Sequence, residues 1–239
     1  MADRDDHRGG DDAGAALTIV TLGDSTTAVD DWSGRDVAVY PDLLPEVLAA
    51  CGVRARVVNA GIGGTTTRDA LERLDRDVRV FSPDLVVIQF GINDSWIDVD
   101  EGRREPRLTR EEYRENLRSL ARALAREDAR VVLMTPNPMR WADPFYIDAF
   151  EKAPGLLDTG SERGLNALLD LYAEDAREVA RGEAVPLVDV HRAFEEYGGV
   201  PGQAVADLLL EGDGIHPSAA GQRLVCRLLA AEIAALVRP

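Results

Sequence analysis

The chain has 239 residues, of which 45% are hydrophobic and 29% are charged, and its formal net charge at pH 7 is -16. This length suits one domain with a large hydrophobic core, and the composition is typical of a globular protein. So negative a chain is a poor partner for nucleic acid or for an anionic membrane surface. No apolar run approaches the roughly 20 residues that a membrane-spanning helix needs.

The first segment, residues 1–16, reads MADRDDHRGGDDAGAA and contains no apolar core. Its charge and glycine content predict a disordered leader and not a secretory signal. We therefore expect a cytoplasmic protein with a single domain over residues 17–239.

Short apolar segments rich in β-branched residues predict five buried strands, at residues 17–22, 55–59, 84–90, 129–135 and 185–190. Helical patterns alternate with them, at residues 40–51, from 65 onward, at 109–127 and 164–181, and after Ser218. This alternation is typical of βαβ units and predicts an α/β fold with a parallel sheet. Two long connections, 94–108 and 137–161, follow strand ends, where open sheets of this class bind ligands.

A serine that follows the first strand, Ser25 in TLGDSTT, is a candidate nucleophile. Serine needs a base to remove its proton, and the base needs a third group to fix its tautomer. The chain has only three histidines. His7 lies in the leader and His191 at a helix entry without an evident carboxylate partner, whereas His216 follows Asp213 by three residues in DGIHP. The sequence thus predicts a triad of Ser25, Asp213 and His216.

Three hydrogen-bond donors are candidates for an oxyanion hole: the backbone N–H of Ser25, the N–H of Gly64 and the side-chain amide of Asn93. Glycine lets a backbone approach a substrate closely, and asparagine donates without carrying charge. Such donors stabilise the negative oxygen that develops during acyl transfer.

Each of these residues also has a simpler interpretation. Ser25 could be a helix N-cap, and Asn93 could form an Asx-turn. Asp213 and His216 could be metal ligands, but a catalytic zinc site needs three protein ligands and histidines are scarce here. We expect neither a metal nor a cofactor.

Four blocks, GDST, NAGIGG, GIND and DGIHP, occur in this order from the first strand to the last helix. Together they resemble the SGNH (GDSL-like) serine hydrolases. The resemblance implies a flavodoxin-like three-layer α/β/α sandwich with a five-stranded parallel sheet, and a serine esterase mechanism without metal. It also selects Gly64, and not Gly61 or Gly63, as the oxyanion glycine. The GxSxG elbow of the α/β-hydrolases is absent around Ser25.

GDST together with QFGIND resembles the carbohydrate O-acetylesterases of this superfamily, such as the rhamnogalacturonan acetylesterase type. Those enzymes more often carry histidine at the position of Ile92. The resemblance implies that the substrate is a small-molecule ester, with an acetyl or other small acyl group on a carbohydrate. A lipase, lysophospholipase or thioesterase acting on longer chains and an acyltransferase are alternatives, because all of them use the same acyl-enzyme. A non-catalytic binding domain is the alternative from a different class.

Aromatic residues follow several of the predicted strands and could line a substrate pocket on the same edge of the sheet. They are Trp32, Trp96, Trp141, Phe145 and Tyr146. The alternative is that these rings cap the top of the core.

Overall fold

The computed structural model describes residues 16–28, 37–140 and 164–238. Five strands form one sheet: β1 Leu17–Gly23, β2 Ala55–Gly61, β3 Leu85–Gln89, β4 Arg130–Met134 and β5 Leu187–Val188. Their order is β2-β1-β3-β4-β5, and every neighbouring pair is parallel. The predicted α/β fold with a parallel sheet is confirmed.

Helices alternate with the strands: α1 Tyr40–Ala50, α2 Thr67–Glu72, α3 Leu74–Asp77, α4 Ile92–Ser95, α5 Arg110–Ala125, α6 Leu165–Glu183, α7 Val190–Gly198 and α8 Ala219–Val237. The long helices begin at side-chain caps where the sequence offers them. Thr109 Oγ1 accepts the N–H of Glu112, and Ser218 Oγ accepts the N–H of Gly221. No helix in the described part of the chain combines the length and the hydrophobicity that a membrane span requires.

The sheet is covered on both faces, because successive strand residues point to opposite sides. Ile19 and Val87 pack with α1, α7 and α8, whereas Val20 and Ile88 pack with α2, α3, α5 and α6. These two cores form the three-layer sandwich. Burial of an aliphatic side chain of this size contributes about 1.5–3 kcal/mol to folding.

The strand register brings the end of β1 between the ends of its two neighbours. Gly23 pairs with Gly61 of β2 on one side and with Gln89 of β3 on the other. A Cβ atom on Gly23 would lie 2.1 Å from Thr27 Oγ1, and one on Gly61 would lie 2.4 Å from the nitrogen of Ala28. The turn that contains Ser25 therefore folds back over this edge of the sheet, and it needs glycine at both strand ends.

The last strand is shorter than predicted. The sequence predicts a strand over residues 185–190, but β5 contains only Leu187 and Val188. Asp189 ends it, because its side chain accepts the N–H of Arg192 and caps α7.

The two long connections differ in how much of them is described. Residues 94–108 fold back on themselves, since the N–H of Arg107 donates to Trp96 O at 2.9 Å and that of Leu108 to Asp94 O at 3.1 Å. Of residues 137–161, only 137–140 lie within the described ranges.

Candidate active site

The structure brings Ser25, His216 and Asp213 together at the carboxyl edge of the sheet. Ser25 Oγ lies 2.9 Å from His216 Nε2, and His216 Nδ1 lies 2.6 Å from Asp213 Oδ2. Ser25 follows β1, and the other two residues lie in the turn before α8. The distances are those of a nucleophile, a base and a carboxylate that orients the base.

The turn that carries His216 is held by the carboxylate of Asp213. Its Oδ1 accepts the backbone N–H groups of Ile215 at 2.7 Å and His216 at 2.9 Å. Burial alone would raise the pKa of Asp213, but the hydrogen bonds from the ring and backbone of His216 and from Ile215 hold this pKa below its usual value. The carboxylate is therefore ionised and fixes one tautomer of the imidazole.

The turn that carries Ser25 is shaped by Asp24, which is fully buried. Asp24 Oδ1 accepts the backbone N–H of Thr26 at 2.9 Å and its hydroxyl at 2.8 Å. The hydroxyl oxygens of Thr26 and Thr27 also lie within hydrogen-bonding distance of the side-chain amide of Gln89, at 2.5 and 3.1 Å. Ser25 caps none of the helices in the described ranges, and its hydroxyl faces His216 instead.

The three candidate oxyanion donors border the same cleft. Gly64 has a φ of +74°, and no heavy atom lies within 4 Å of the position that a Cβ atom would occupy, so this side of the residue is open. Gly61 pairs within β2, and its N–H donates to Asn59 Oδ1. This arrangement favours Gly64 over Gly61.

Asn93 lies in α4, directly before the buried Asp94. Its Nδ2 donates to Thr65 O at 3.1 Å, and its Oδ1 accepts from Arg107 Nη1 at 3.2 Å. The amide has two N–H groups, and the bond to Thr65 O uses one of them. Asn93 borders the cleft together with Ser25 and Gly64.

The buried carboxyl of Asp94 ties α4 to α2. Its Oδ1 accepts the backbone N–H of Thr67 at 3.0 Å and the Thr67 hydroxyl at 2.6 Å. Burial raises the pKa of Asp94 from its usual value of 3.8 to about 7, although the hydrogen bonds from Thr67 oppose this rise. The same effect of burial raises the pKa of Asp24.

The cleft has a volume of about 440 Å³ and is open on one side. The residues that line it are Ser25, Gly64, Ile92, Asn93, Trp96, Arg107, Gly212, Asp213, Ile215 and His216. Of the aromatic residues predicted near the site, Trp96 lines the cleft, whereas Trp32, Trp141, Phe145 and Tyr146 lie outside the described residues.

Arg107 is a cleft residue that the sequence analysis missed. It also borders an adjoining groove of about 810 Å³, which shares Gly64 and Arg107 with the cleft and is lined mainly by charged side chains. The length of the 94–108 connection was the only sequence signal, and it did not single out this residue.

His191 has carboxylate neighbours that the sequence analysis did not find. Its side chain is 3% exposed, Nε2 lies 3.1 Å from Asp170 Oδ1, and Nδ1 lies 3.6 Å from Glu195 Oε2. One potential ligand atom from each of these three residues lies within 4.8 Å of the other two, which is close enough to share a metal ion. None of the predicted site residues belongs to this group.

A model of the family described as GDSL-like Lipase/Acylhydrolase matches residues 21–224. The chain belongs to this family. The match runs from β1, just before Ser25, into α8, just after His216, so it spans every predicted triad and oxyanion residue. These comparisons identify the protein as a GDSL-family esterase.

Individual relatives support the same assignment. An acetylxylan esterase of Geobacillus stearothermophilus is 32% identical over 82% of this chain and 75% of its own length. A Bacillus subtilis protein described as the uncharacterized lipoprotein YqeF is 31% identical over 84% of this chain and 80% of its own length. That description does not support the cytoplasmic location expected from the sequence.

Solved structures extend the likeness to the fold. A lipase/acylhydrolase from Enterococcus faecalis superimposes with a TM-score of 0.71 at 28% identity, over 93% of this chain and 98% of that one. The acetylxylan esterase superimposes with a TM-score of 0.68 at 27% identity, over 92% of this chain and 95% of its own. Structures of that esterase include catalytic mutants in which a serine, an aspartate or a histidine is replaced by alanine.

Proposed function

We propose that this GDSL-family esterase removes acetyl groups from a carbohydrate through an acyl-enzyme on Ser25. The observation that carries the proposal is the chain of contacts from Ser25 Oγ to His216 at 2.9 Å and from His216 to Asp213 at 2.6 Å. The catalytic serine, aspartate and histidine of the acetylxylan esterase support it.

In the proposed reaction, Ser25 Oγ attacks the ester carbonyl while its proton passes to His216 Nε2. Asp213 stabilises the imidazolium that forms. The oxyanion accepts hydrogen bonds from the N–H groups of Ser25 and Gly64 and from Asn93, and each such donor lowers the barrier by roughly 3 kcal/mol. The alcohol leaves with the proton from His216, which then activates water to release the acid and free Ser25.

The surroundings of the triad support a short acyl group on a polar alcohol. Three large apolar side chains, Ile92, Trp96 and Ile215, line the cleft, and its other lining residues are glycines and polar residues. The adjoining groove is polar and could hold further sugar units of the alcohol. A long acyl chain would need a continuous apolar channel to be favoured.

A chain-length series of p-nitrophenyl esters, run beside acetylated xylooligosaccharides, tests both the mechanism and the substrate. We expect acetyl esters to be preferred and Ser25→Ala to lose activity by about 10⁴-fold or more. A serine-directed phosphonate should label the native protein and not this variant. Ser82→Gly is the matched control, because Ser82 lies on an exposed turn with a φ of 45°.

Three outcomes would contradict the proposal. Activity that survives Ser25→Ala would eliminate the proposed nucleophile. A preference for long acyl chains would indicate a lipase or thioesterase that uses the same triad, and not an acetylesterase. Faster transfer to an added alcohol than to water would indicate an acyltransferase.

A further inference from the structure

We propose that Arg107 is a positioning residue that orients and polarises the amide of Asn93, with Asp98 as the clamp that holds Arg107 in place. This inference rests on the proposed role of Asn93 as an oxyanion donor. It assigns a function in the reaction to a residue outside the four sequence blocks.

The guanidinium of Arg107 is held on two sides. Its Nε and Nη2 donate to the two carboxylate oxygens of Asp98, at 2.9 and 2.7 Å, which is the bidentate geometry typical of strong arginine–carboxylate pairs. The remaining nitrogen, Nη1, donates to Asn93 Oδ1 at 3.2 Å. Because the fork is planar, the bond to Asp98 fixes the direction in which Nη1 points.

The contacts with Arg107 and with Thr65 O together determine which way the Asn93 amide faces. Arginine has no acceptor, so the amide atom that meets it must be the oxygen. The nitrogen then faces the opposite way, where one N–H donates to Thr65 O at 3.1 Å. The second N–H is not used by this bond, and Asn93 borders the cleft together with Ser25 and Gly64. Without Arg107, the bond to Thr65 O alone would hold the amide, and the side chain would be less firmly oriented.

The positive charge adds a second effect. A cation on the carbonyl oxygen of an amide draws electron density from its N–H groups, and hydrogen bonds in such chains strengthen one another. Hydrogen bonding to Asp98 raises the pKa of Arg107, so the charge persists at any pH at which the enzyme works. The Asn93 N–H is therefore a stronger donor than that of an isolated asparagine.

The backbone keeps Arg107 in register with Asn93. The N–H of Arg107 donates to Trp96 O and that of Leu108 to Asp94 O, so both ends of the 94–108 connection are joined next to α4. The side chain of Arg107 is only 33% exposed despite lying on a surface loop. The long connection thus places Arg107, near its end, beside Asn93, the residue directly before it.

A double-mutant cycle tests the coupling, with kcat and KM measured on p-nitrophenyl acetate for Arg107→Met, Asn93→Ala and the pair. We expect Arg107→Met to lower kcat by about 10-fold with KM changed less than about 2-fold, and Asn93→Ala to lower kcat by about 100-fold. The double variant should be no more than about 2-fold slower than Asn93→Ala, because the arginine acts through the asparagine. Arg126→Met, which removes an exposed arginine at the end of α5 that lines neither the cleft nor the groove, should keep the native kcat.

Asp98→Asn is a second variant that preserves the size of the clamp. It should lower kcat in the same direction as Arg107→Met and should lose this effect in the Asn93→Ala background. Fold losses that multiply in the double variants, or a rise in KM with kcat unchanged, would overturn the inference and make Arg107 a direct substrate contact. Failure of the proposed function would show differently, as activity retained by Ser25→Ala.

Discussion

His216 has a defined partner at each ring nitrogen, and this pairing determines what the imidazole can do. Nδ1 faces the ionised Asp213 at 2.6 Å and Nε2 faces Ser25 at 2.9 Å. The proton of the neutral ring is therefore held on Nδ1, and the lone pair of Nε2 points at the serine hydroxyl.

The substitution Asp213→Asn should lower kcat by about 10⁴-fold, because an amide can hold the imidazole in the wrong tautomer and cannot stabilise the imidazolium. KM should change much less, because Asp213 does not bind the ester in the proposed mechanism. Steady-state kinetics on p-nitrophenyl acetate measure both quantities. Glu211→Gln, which removes a negative charge from an exposed position two residues earlier, is the control. Equal turnover in Asp213→Asn and the native enzyme would leave His216 without its orienting partner.

The acid side of the pH profile should have a slope of one in a plot of log kcat/KM against pH. His216 must be neutral to accept the serine proton, so activity falls as the imidazole is protonated. The pKa of Asp213 is held below its usual value by its hydrogen bonds, so this carboxylate stays ionised while His216 titrates. A slope of two would show that activity also depends on a second group, such as Asp94, that is protonated in the same range.

The turn after β1 and the short helix α4 meet above buried carboxyl groups. Asp24 supports the turn that presents Ser25, and Asp94 ties α4 to Thr67 at the start of α2. Burial raises the pKa of both carboxyls, to about 7 for Asp94. Ionising these two buried carboxyls therefore lowers the free energy of unfolding, and the size of this effect depends on pH.

Stability should fall as pH rises from 5 to 8, in part because of Asp94. Its folded-state pKa of about 7 lies above the usual 3.8, so the folded protein binds the extra proton between these values, and this stabilisation is lost progressively as the pH rises to about 7. The expected contribution is about 2 to 3 kcal/mol. Asp94→Asn should show a smaller decline in urea unfolding over this range, and the exposed Asp100→Asn should not. Parallel curves for native protein and Asp94→Asn would contradict the assignment.

The elements with continuous apolar patterns were the ones that the sequence predicted well. The strands β1 to β4 lie where buried, β-branched runs occur, since burial on both faces selects such runs. Helix α4 was not predicted, because its four residues, Ile92–Ser95, are too few for a periodic pattern. Arg107 could not be singled out either, because its contacts with Asp98 and Asn93 depend on how a long loop closes.

At the scale of the molecule, four blocks spread over nearly 200 residues converge on one edge of the sheet. Their order in the sequence indicated the family, and the parallel topology explains the convergence, because all strand ends lie on that edge. The triad residues could be selected from the sequence since histidines are few. The walls of the cleft depend on loop conformation, which composition and periodicity do not encode.

The charge balance of the molecule leads to a last prediction. Acidic residues outnumber basic ones by 43 to 27, which gives the net charge of -16. Repulsion between like charges destabilises a compact state and is screened by salt, whereas exposed ion pairs contribute little and are screened as well. The melting temperature should therefore rise between 10 and about 200 mM NaCl at pH 7.5 and change less when the same titration is run near the isoelectric point of about 4.6. A melting temperature that falls with salt at pH 7.5 would mean that ion pairs, such as those of Arg110 and Arg114 with the buried Asp175, outweigh the net repulsion.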